Sequence, residues 1–542
     1  MRSTMDNTAL TVTEILRYAV RVHGERTVTT ATADGFRRAT YREVGQQAAR
    51  LANALRRLGI DGDQRVATFM WNNQEHLEAY VAIPSMGAVL HTLNIRLFPE
   101  QIEFIAYEAE DQVVIADLSL TPVLAPVLHR METVHTVIAV GEGDIGPLQE
   151  SGKNVLRYHE ITAGESAEFD WPDLDENSAA AMCYTSGTTG HPKGVVYGHR
   201  SSYLHSAAVC SGNGMGLSFA DRALPIVPMF HANAWGVPYA ALMAGADLIM
   251  PDRFMDARSL VRLIEDHKPT VAAAVPTIWN DVMILLDQQP EHDISSLRLV
   301  VCGGSAVPVS LMQAFESNFG VQIRQLWGMT ETSPMATLAW PAPDTAPERI
   351  WEVRGSQGRP ICGVDARIVD DEGTVLANDG VSVGELEVRG PWITGSYYRN
   401  TDPSKFTDGW LKTGDVGRID PQGYITLTDR AKDVIKSGGE WISSVELENL
   451  LISHPHVRQA AVVAVPDDRW QERPLAAVAV HDGALVTAAE LREFLSDKVV
   501  RWWLPERWTF IDEVPLTSVG KYDKKAIRAC YANGDYDVVT LS

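Results

Sequence analysis

The chain has 542 residues, several times the ~100 to 200 usual for one domain, and its 45% hydrophobic, 22% charged and 8% aromatic make-up excludes a disordered, collagen-like or coiled-coil protein. With 47 Lys and Arg against 70 Asp and Glu, the formal net charge is −23, which repels nucleic acid and anionic membranes at long range. Five scattered cysteines without CxxC spacing (Cys183, Cys210, Cys302, Cys362 and Cys530) signal neither a disulfide framework nor a zinc site.

The first 25 residues mix charges among short apolar runs, unlike a signal peptide. No stretch reaches the ~18 uncharged apolar residues of a membrane span, so a cytoplasmic location without stable membrane insertion is expected. From about 41 to 140, helical and strand patterns alternate. Val44 to Leu58 has helical spacing, Arg65 to Met70 reads as a strand, and Ile102 to Tyr107 as helix again. Such alternation predicts an α/β unit with a largely parallel sheet. A second unit of this kind is expected from about 180 to 335. Within it come the strand Leu297 to Cys302, the turn Gly303-Gly304-Ser305, the helix Leu311 to Phe319 and the strand Gln322 to Leu326. Its Gly-rich turn sits where open parallel sheets bind ligands.

From about 355 to 428, short strands broken by Asp-Gly-type turns, such as Val364 to Val369 and Gly384 to Val388, predict a small β-rich subdomain. After Asp429-Arg430, Val445 to Leu451 and Ala488 to Lys498 read as helices, and Ala460 to Val465 and Ala476 to Val480 as strands. The expected class is α/β. A large N-terminal domain, 1–429, comprises two α/β subdomains and the β-rich subdomain, and a small α+β C-terminal domain, 430–542, follows.

The loudest motif is Tyr184-Thr185-Ser186-Gly187-Thr188-Thr189-Gly190-His191-Pro192-Lys193-Gly194, directly after the apolar run Ala179 to Cys183. Glycines admit the backbone to a triphosphate, N–H and O–H groups donate to it, and Lys193 supplies charge. It is a phosphate loop but not a Walker A loop, because GxxxxGK[ST] occurs nowhere. The second motif is Gln325-Leu326-Trp327-Gly328-Met329-Thr330-Glu331, at the end of a predicted strand. An aromatic ring can stack on a purine, and Glu331 can offer oxygen to a phosphate-bridged Mg²⁺; a capped helix start would produce the same string. The third is Thr413-Gly414-Asp415, whose carboxylate after a tight turn could take two ribose hydroxyls.

With Asp429-Arg430-Ala431-Lys432-Asp433-Val434-Ile435-Lys436-Ser437-Gly438-Gly439-Glu440-Trp441 and Ser518-Val519-Gly520-Lys521, these motifs resemble the acyl-adenylate-forming superfamily over nearly the whole chain. Pro228 to Trp235 and the Lys436 to Trp441 run look most like bacterial medium- to long-chain fatty acyl-CoA synthetases. The resemblance implies ATP, Mg²⁺ and coenzyme A as cofactors and a small carboxylic acid as substrate. Thr185, Ser186, Gly187, Thr188, Thr189, Gly190 and Lys193 would cradle the β and γ phosphates, with Thr185 and Glu331 near the metal. Gly303, Gly304 and Ser305, with Gln325, Leu326, Trp327, Gly328, Met329 and Thr330, would frame the adenine and the α phosphate. Asp415 and Arg430 would hold the ribose. Lys432 falls at the family's hinge, which makes the C-terminal domain mobile. Lys436 would serve the nucleotide, Ser437, Gly438, Gly439, Glu440 and Trp441 the CoA-bound state, and Lys521 would be the catalytic lysine. Trp327 departs from the Tyr of many relatives, which keeps the stacking face but changes the polar edge. His231 either orients the acyl carboxylate or is a satisfied structural histidine, and Trp235 is either an acyl-tunnel gate or a core residue. A homodimer is implied by analogy alone.

The chemistry agrees with these roles. A carboxylate is a poor acyl donor, so it must first attack the α phosphorus of ATP, and two anions must meet. An ammonium touching both offsets their repulsion by ~4 kcal/mol per contact at 4 Å and an effective dielectric near 20. Between Pro225 and Gly245 there is no Asp or Glu to pair an amino group, which argues against amino-acid activation. A medium- or long-chain fatty acid is favoured. A short thioether acid or an aryl acid stays open, as does a non-catalytic nucleotide or acyl-CoA binding protein on the same scaffold.

Overall fold

The computed structural model describes the chain except residues 2, 186–190, 431, 432, 434, 438, 439, 468, 518–521 and 542, and the side chains of 429, 430, 436, 440 and 441. Among the described residues the strands form four sheets. The run Ala179–Tyr184 is apolar almost throughout and buried beyond its first residue, as a strand covered on both faces must be. It pairs in parallel with Val89–Thr92 inside a seven-stranded sheet. The order there is Asn154–Arg157, Thr136–Val140, Asp111–Asp117, Arg65–Phe69, Val89–Thr92, Ala179–Tyr184, Gly194–Gly198.

The second sheet has nine strands, in the order Arg359–Pro360, Met335–Leu338, Ile323–Gly328, Leu299–Gly303, Val271–Ala274, Arg222–Pro225, Asp247–Met250, Thr27–Thr32, Gly35–Thr40. Two segments thus cross over relative to the sequence expectation. Ala179–Tyr184 and Gly194–Gly198 complete the first sheet, and the N-terminal hairpin closes the second by parallel pairing of Thr27–Thr32 with Asp247–Met250. Strand periodicity reports which faces are buried, not which distant strand lies alongside.

The helices follow from capping and apolar spacing. Tyr41–Arg57 starts at a Thr40/Glu43 capping box and buries Val44, Ala48, Leu51 and Leu55. One continuous apolar core runs between the two large sheets and beneath the third. Asn72 stitches the two sheets together. Its buried amide donates to the carbonyls of Pro225 and Val227, at 2.8 Å each, and accepts from the Met229 N–H at 2.7 Å, which fixes the stretch leading to His231.

The third, five-stranded sheet is antiparallel and contains Asp365–Val369, Gly384–Arg389, Phe406–Thr407, Trp410–Ile419 and Ile425–Arg430. From Ile435 onward the strands build a separate six-stranded sheet around the long pair Val457–Asp467 and Gln471–Val480, with its own apolar clusters. No described helix is long and apolar enough to cross a membrane.

Candidate active site

Strands Leu299–Gly303 and Ile323–Gly328 are adjacent and parallel, so the Gly-rich turn and the Trp327 to Glu331 segment emerge side by side at their carboxyl ends, where open α/β sheets hold ligands. The buried Gln325 side chain ties the two together, its Oε1 accepting from the Val307 N–H at 2.7 Å. Gly303 has no alternative, because a Cβ there would lie 2.5 Å from the Leu326 carbonyl oxygen.

The phosphate loop leaves the carboxyl end of Ala179–Tyr184. Its mouth is pinched by two hydrogen bonds: Thr185 N–H donates to the Lys193 carbonyl at 2.9 Å, and Lys193 N–H donates to Thr185 Oγ1 at 3.1 Å. The Lys193 ammonium pairs with Asp402 and lies 5.1 Å from the Tyr397 ring centroid. That ammonium and the Ser404 hydroxyl hold the Asp402 carboxyl below the usual carboxylate range. Glu331 sits on the one-turn helix Thr330–Thr332, 6% exposed, and its Oε1 accepts from the Tyr397 hydroxyl at 2.6 Å. Burial, then the Glu331 charge, raises the Tyr397 hydroxyl far above an ordinary phenol, so it stays a donor. Tyr397 therefore bridges the two phosphate-side groups, Lys193 and Glu331. The strand pattern gave no hint of Tyr397 or Asp402, because both act on partners far away in sequence; two consecutive tyrosines after Gly395-Ser396 were the only mark.

On the other side of Glu331, Trp327 Nε1 donates to Asp415 Oδ2 at 2.8 Å, with both residues buried. Asp415 N–H donates to Thr413 Oγ1 at 3.0 Å, and Gly414 takes φ +75°, as the turn requires. Asp415 also stands opposite Arg430 in the strand register.

His231 is half-buried, its N–H donating to the Pro228 carbonyl at 3.1 Å. The next four residues, Ala232 to Trp235, all have φ between +42° and +55°, and Gly236 has +73°. This is a turn of left-handed helix, costing roughly 1–2 kcal/mol per non-glycine residue. It is anchored by Asn233, whose Oδ1 accepts from Cys183 Sγ at 3.0 Å and from Thr92 Oγ1 at 3.4 Å, beneath the strand that feeds the phosphate loop. Trp235 is buried in the large core.

In the C-terminal part, Ile435–Ser437 and Glu440–Ile442 pair as a hairpin, with Lys436 opposite Trp441 and Ser437 opposite Glu440. Ser437 is buried and its Oγ accepts from Arg473 at 3.2 Å. Ser186 to Gly190, Lys432, Gly438, Gly439 and Lys521 lie outside the described residues, as do the side chains of Arg430, Lys436, Glu440 and Trp441.

Residues 16–398 match the family model described as AMP-binding enzyme, and residues 446–521 match that of the AMP-binding enzyme C-terminal domain. The chain belongs to the AMP-binding enzyme family. This AMP-binding enzyme is 41% identical to the 3-methylmercaptopropionyl-CoA ligase of Ruegeria lacuscaerulensis over 96% of its own length and 97% of the relative's. It is 42% identical to the long-chain-fatty-acid–CoA ligase of Thermus thermophilus, with 98% and 97% covered. Its fold superimposes on the crystal structure of an anthranilate CoA ligase in complex with anthranoyl-AMP with a TM-score of 0.88 at 26% identity, covering 99% of this chain and all of that one.

Proposed function

We propose that this AMP-binding enzyme joins a medium- or long-chain fatty acid to coenzyme A in two steps at one site, forming acyl-AMP with release of pyrophosphate and then the thioester. Acid–CoA ligation is the activity named for the relatives that match this chain over nearly its whole length; the choice of acid is our reading. The observation that supports it most is the Tyr397 bridge, because it brings the lysine of the phosphate-loop motif and a buried carboxylate to one side chain. In this reading Lys193 and the loop hold the terminal phosphates, Asp415 faces the nucleoside with Trp327 hydrogen-bonded to it, and His231 and Trp235 lie toward the acid. Lys521 delivers the ammonium that lets carboxylate and α phosphate meet.

The donor set near the phosphates fits Mg²⁺. A buried carboxylate and a hydroxyl, Glu331 and Thr185, are hard oxygen donors, and this ion ordinarily takes only one or two protein carboxylates beside phosphates and water. No cluster of three or more His, Cys, Asp or Glu that could cage a metal alone occurs among the described residues. When bound, the ion neutralises phosphate charge. Tyr397 holds the Glu331 carboxylate in place for it. We place the domain boundary between 429 and 430 with Lys432 as hinge, so that rotation exchanges the Lys521 face for the Lys436 to Trp441 face between the two steps.

A short thioether acid is the second reading, favoured by the 41% identity to the methylmercaptopropionyl-CoA ligase. Pyrophosphate release measured with acids from C2 to C18, 3-methylmercaptopropionate and aryl acids, each with and without CoA, separates the possibilities. The proposal expects the highest kcat/KM at C8 or longer. A maximum at the thioether acid selects the second reading, and no release with any acid selects a binding protein.

A further inference from the structure

Resting on the reading that Asp415 meets the ribose, we infer that Trp327 is a positioning residue for nucleotide selection: its indole N–H fixes the Asp415 carboxylate, and so sets how strongly the enzyme prefers a ribonucleotide over a deoxyribonucleotide. The bond is short, 2.8 Å from Nε1 to Oδ2, and it is shielded, with Trp327 8% and Asp415 9% exposed. A charge-assisted hydrogen bond out of water is among the stronger single contacts a side chain makes.

The two residues come from different sheets. Trp327 lies on Ile323–Gly328 of the nine-stranded sheet and Asp415 on Trp410–Ile419 of the antiparallel five-stranded sheet. Asp415's main chain is already fixed by its own sheet. Its N–H donates to Thr413 Oγ1, that hydroxyl donates to the Leu386 carbonyl at 2.7 Å, and the Gly414 N–H donates to Glu385 at 3.0 Å. Those contacts set where the Cα stands, but they leave the torsions of the side chain to whatever the carboxylate meets. The indole N–H is what it meets from the nucleotide-framing strand.

The choice of donor matters as well. An indole N–H only donates, so it cannot compete with Asp415 as an acceptor for ribose hydroxyls. A carboxylate has about four acceptor positions, so one N–H fixes its plane without by itself exhausting it. At 8% exposure the ring also offers little open face to a purine, so its edge is where this residue's identity acts.

The test compares kcat/KM for ATP and for 2′-deoxyATP in acid-dependent pyrophosphate release, with the full-length wild type and Trp327→Phe. Removing a hydrogen bond to a charged group is worth about tenfold or more. We therefore expect the ATP preference over 2′-deoxyATP to fall by about tenfold in W327F, with KM for ATP rising and kcat at saturating ATP changing much less. Because Phe leaves a gap, the same ratio is measured with benzothienylalanine placed at 327, an isostere in which sulfur replaces the N–H, and the same fall is expected. An active wild type whose preference is unchanged by both replacements overturns the inference alone. A wild type that releases pyrophosphate but does not discriminate the 2′-hydroxyl overturns both the inference and the ribose role of Asp415. A wild type with no acid-dependent release overturns the proposed function itself.

Discussion

Two buried charges, one in each part of the molecule, are handled in opposite ways. Glu331 in the large part is 6% exposed, accepts one hydrogen bond from the neutral Tyr397 hydroxyl, and has no ion-pair partner among the described residues. Arg473 in the C-terminal part is 2% exposed and is surrounded. Its terminal nitrogens donate to Ser437 Oγ, the carbonyls of Trp502 and Leu504, and Glu506, and its guanidinium lies 4.7 Å from the Trp502 ring centroid. Burying a charge is costly unless it is paired. A compensated charge holds a scaffold together, here the hairpin that begins at Ile435. An under-compensated one is poised for a cation from outside the chain, which is what a phosphate-side carboxylate needs.

The contrast can be broken most forcefully at Glu331. Glu331→Gln should lower kcat for pyrophosphate release by about 10² to 10³, the cost of losing one preorganised electrostatic contact, while the melting temperature stays within a few degrees. A large loss of stability with intact activity would reverse the assignment. Arg473→Met should do the opposite. We expect a loss of roughly 3 kcal/mol in the stability of the C-terminal part, read by limited proteolysis or denaturant unfolding, because Glu506 and two carbonyls lose their partner. Tyr397→Phe sharpens the picture on the large side. It keeps the ring beneath Lys193 but leaves Glu331 without its donor, and kcat should fall about tenfold with little change in melting temperature.

A third buried carboxyl, Glu78, shows yet another solution, which is to stay protonated. Glu78 accepts from the Tyr158 hydroxyl at 2.5 Å and from Gln74 at 2.7 Å. Burial, reinforced by the nearby Glu75, pushes its pKa up to about 8. Its folded value lies above the unfolded one, so the native state binds the extra proton. The stability this gives is complete below about pH 4 and is lost as pH rises through 8. Glu78→Gln should remove that slope, which amounts to roughly 2 to 3 kcal/mol between pH 6 and 9, as followed by thermal melts. An identical pH profile in the variant would mean that the carboxyl is already ionised in the fold.

Much of this was legible in the sequence wherever the information is local. The strand Leu297 to Cys302, the Gly-rich turn and the helix to Phe319 appear at Leu299–Gly303 and Val309–Phe319, within a few residues of expectation, because apolar period and glycine placement are properties of neighbours. Partnership across long separations was not legible. The hairpin Thr27–Thr40 joins a strand some 220 positions later, and Tyr397 finds Glu331 only once the antiparallel sheet is laid against the parallel one. At Trp327 the sequence pointed to a changed polar edge, and the structure supplies what that edge meets, the Asp415 carboxylate.

The central claim is that an acid oxygen attacks the α phosphorus of ATP before CoA is acylated. The most direct measurement uses the preferred acid labelled with ¹⁸O in its carboxylate and follows AMP by mass spectrometry after complete turnover with CoA. The account predicts AMP carrying one ¹⁸O and unlabelled pyrophosphate. Unlabelled AMP, or ADP and labelled orthophosphate in its place, would contradict it.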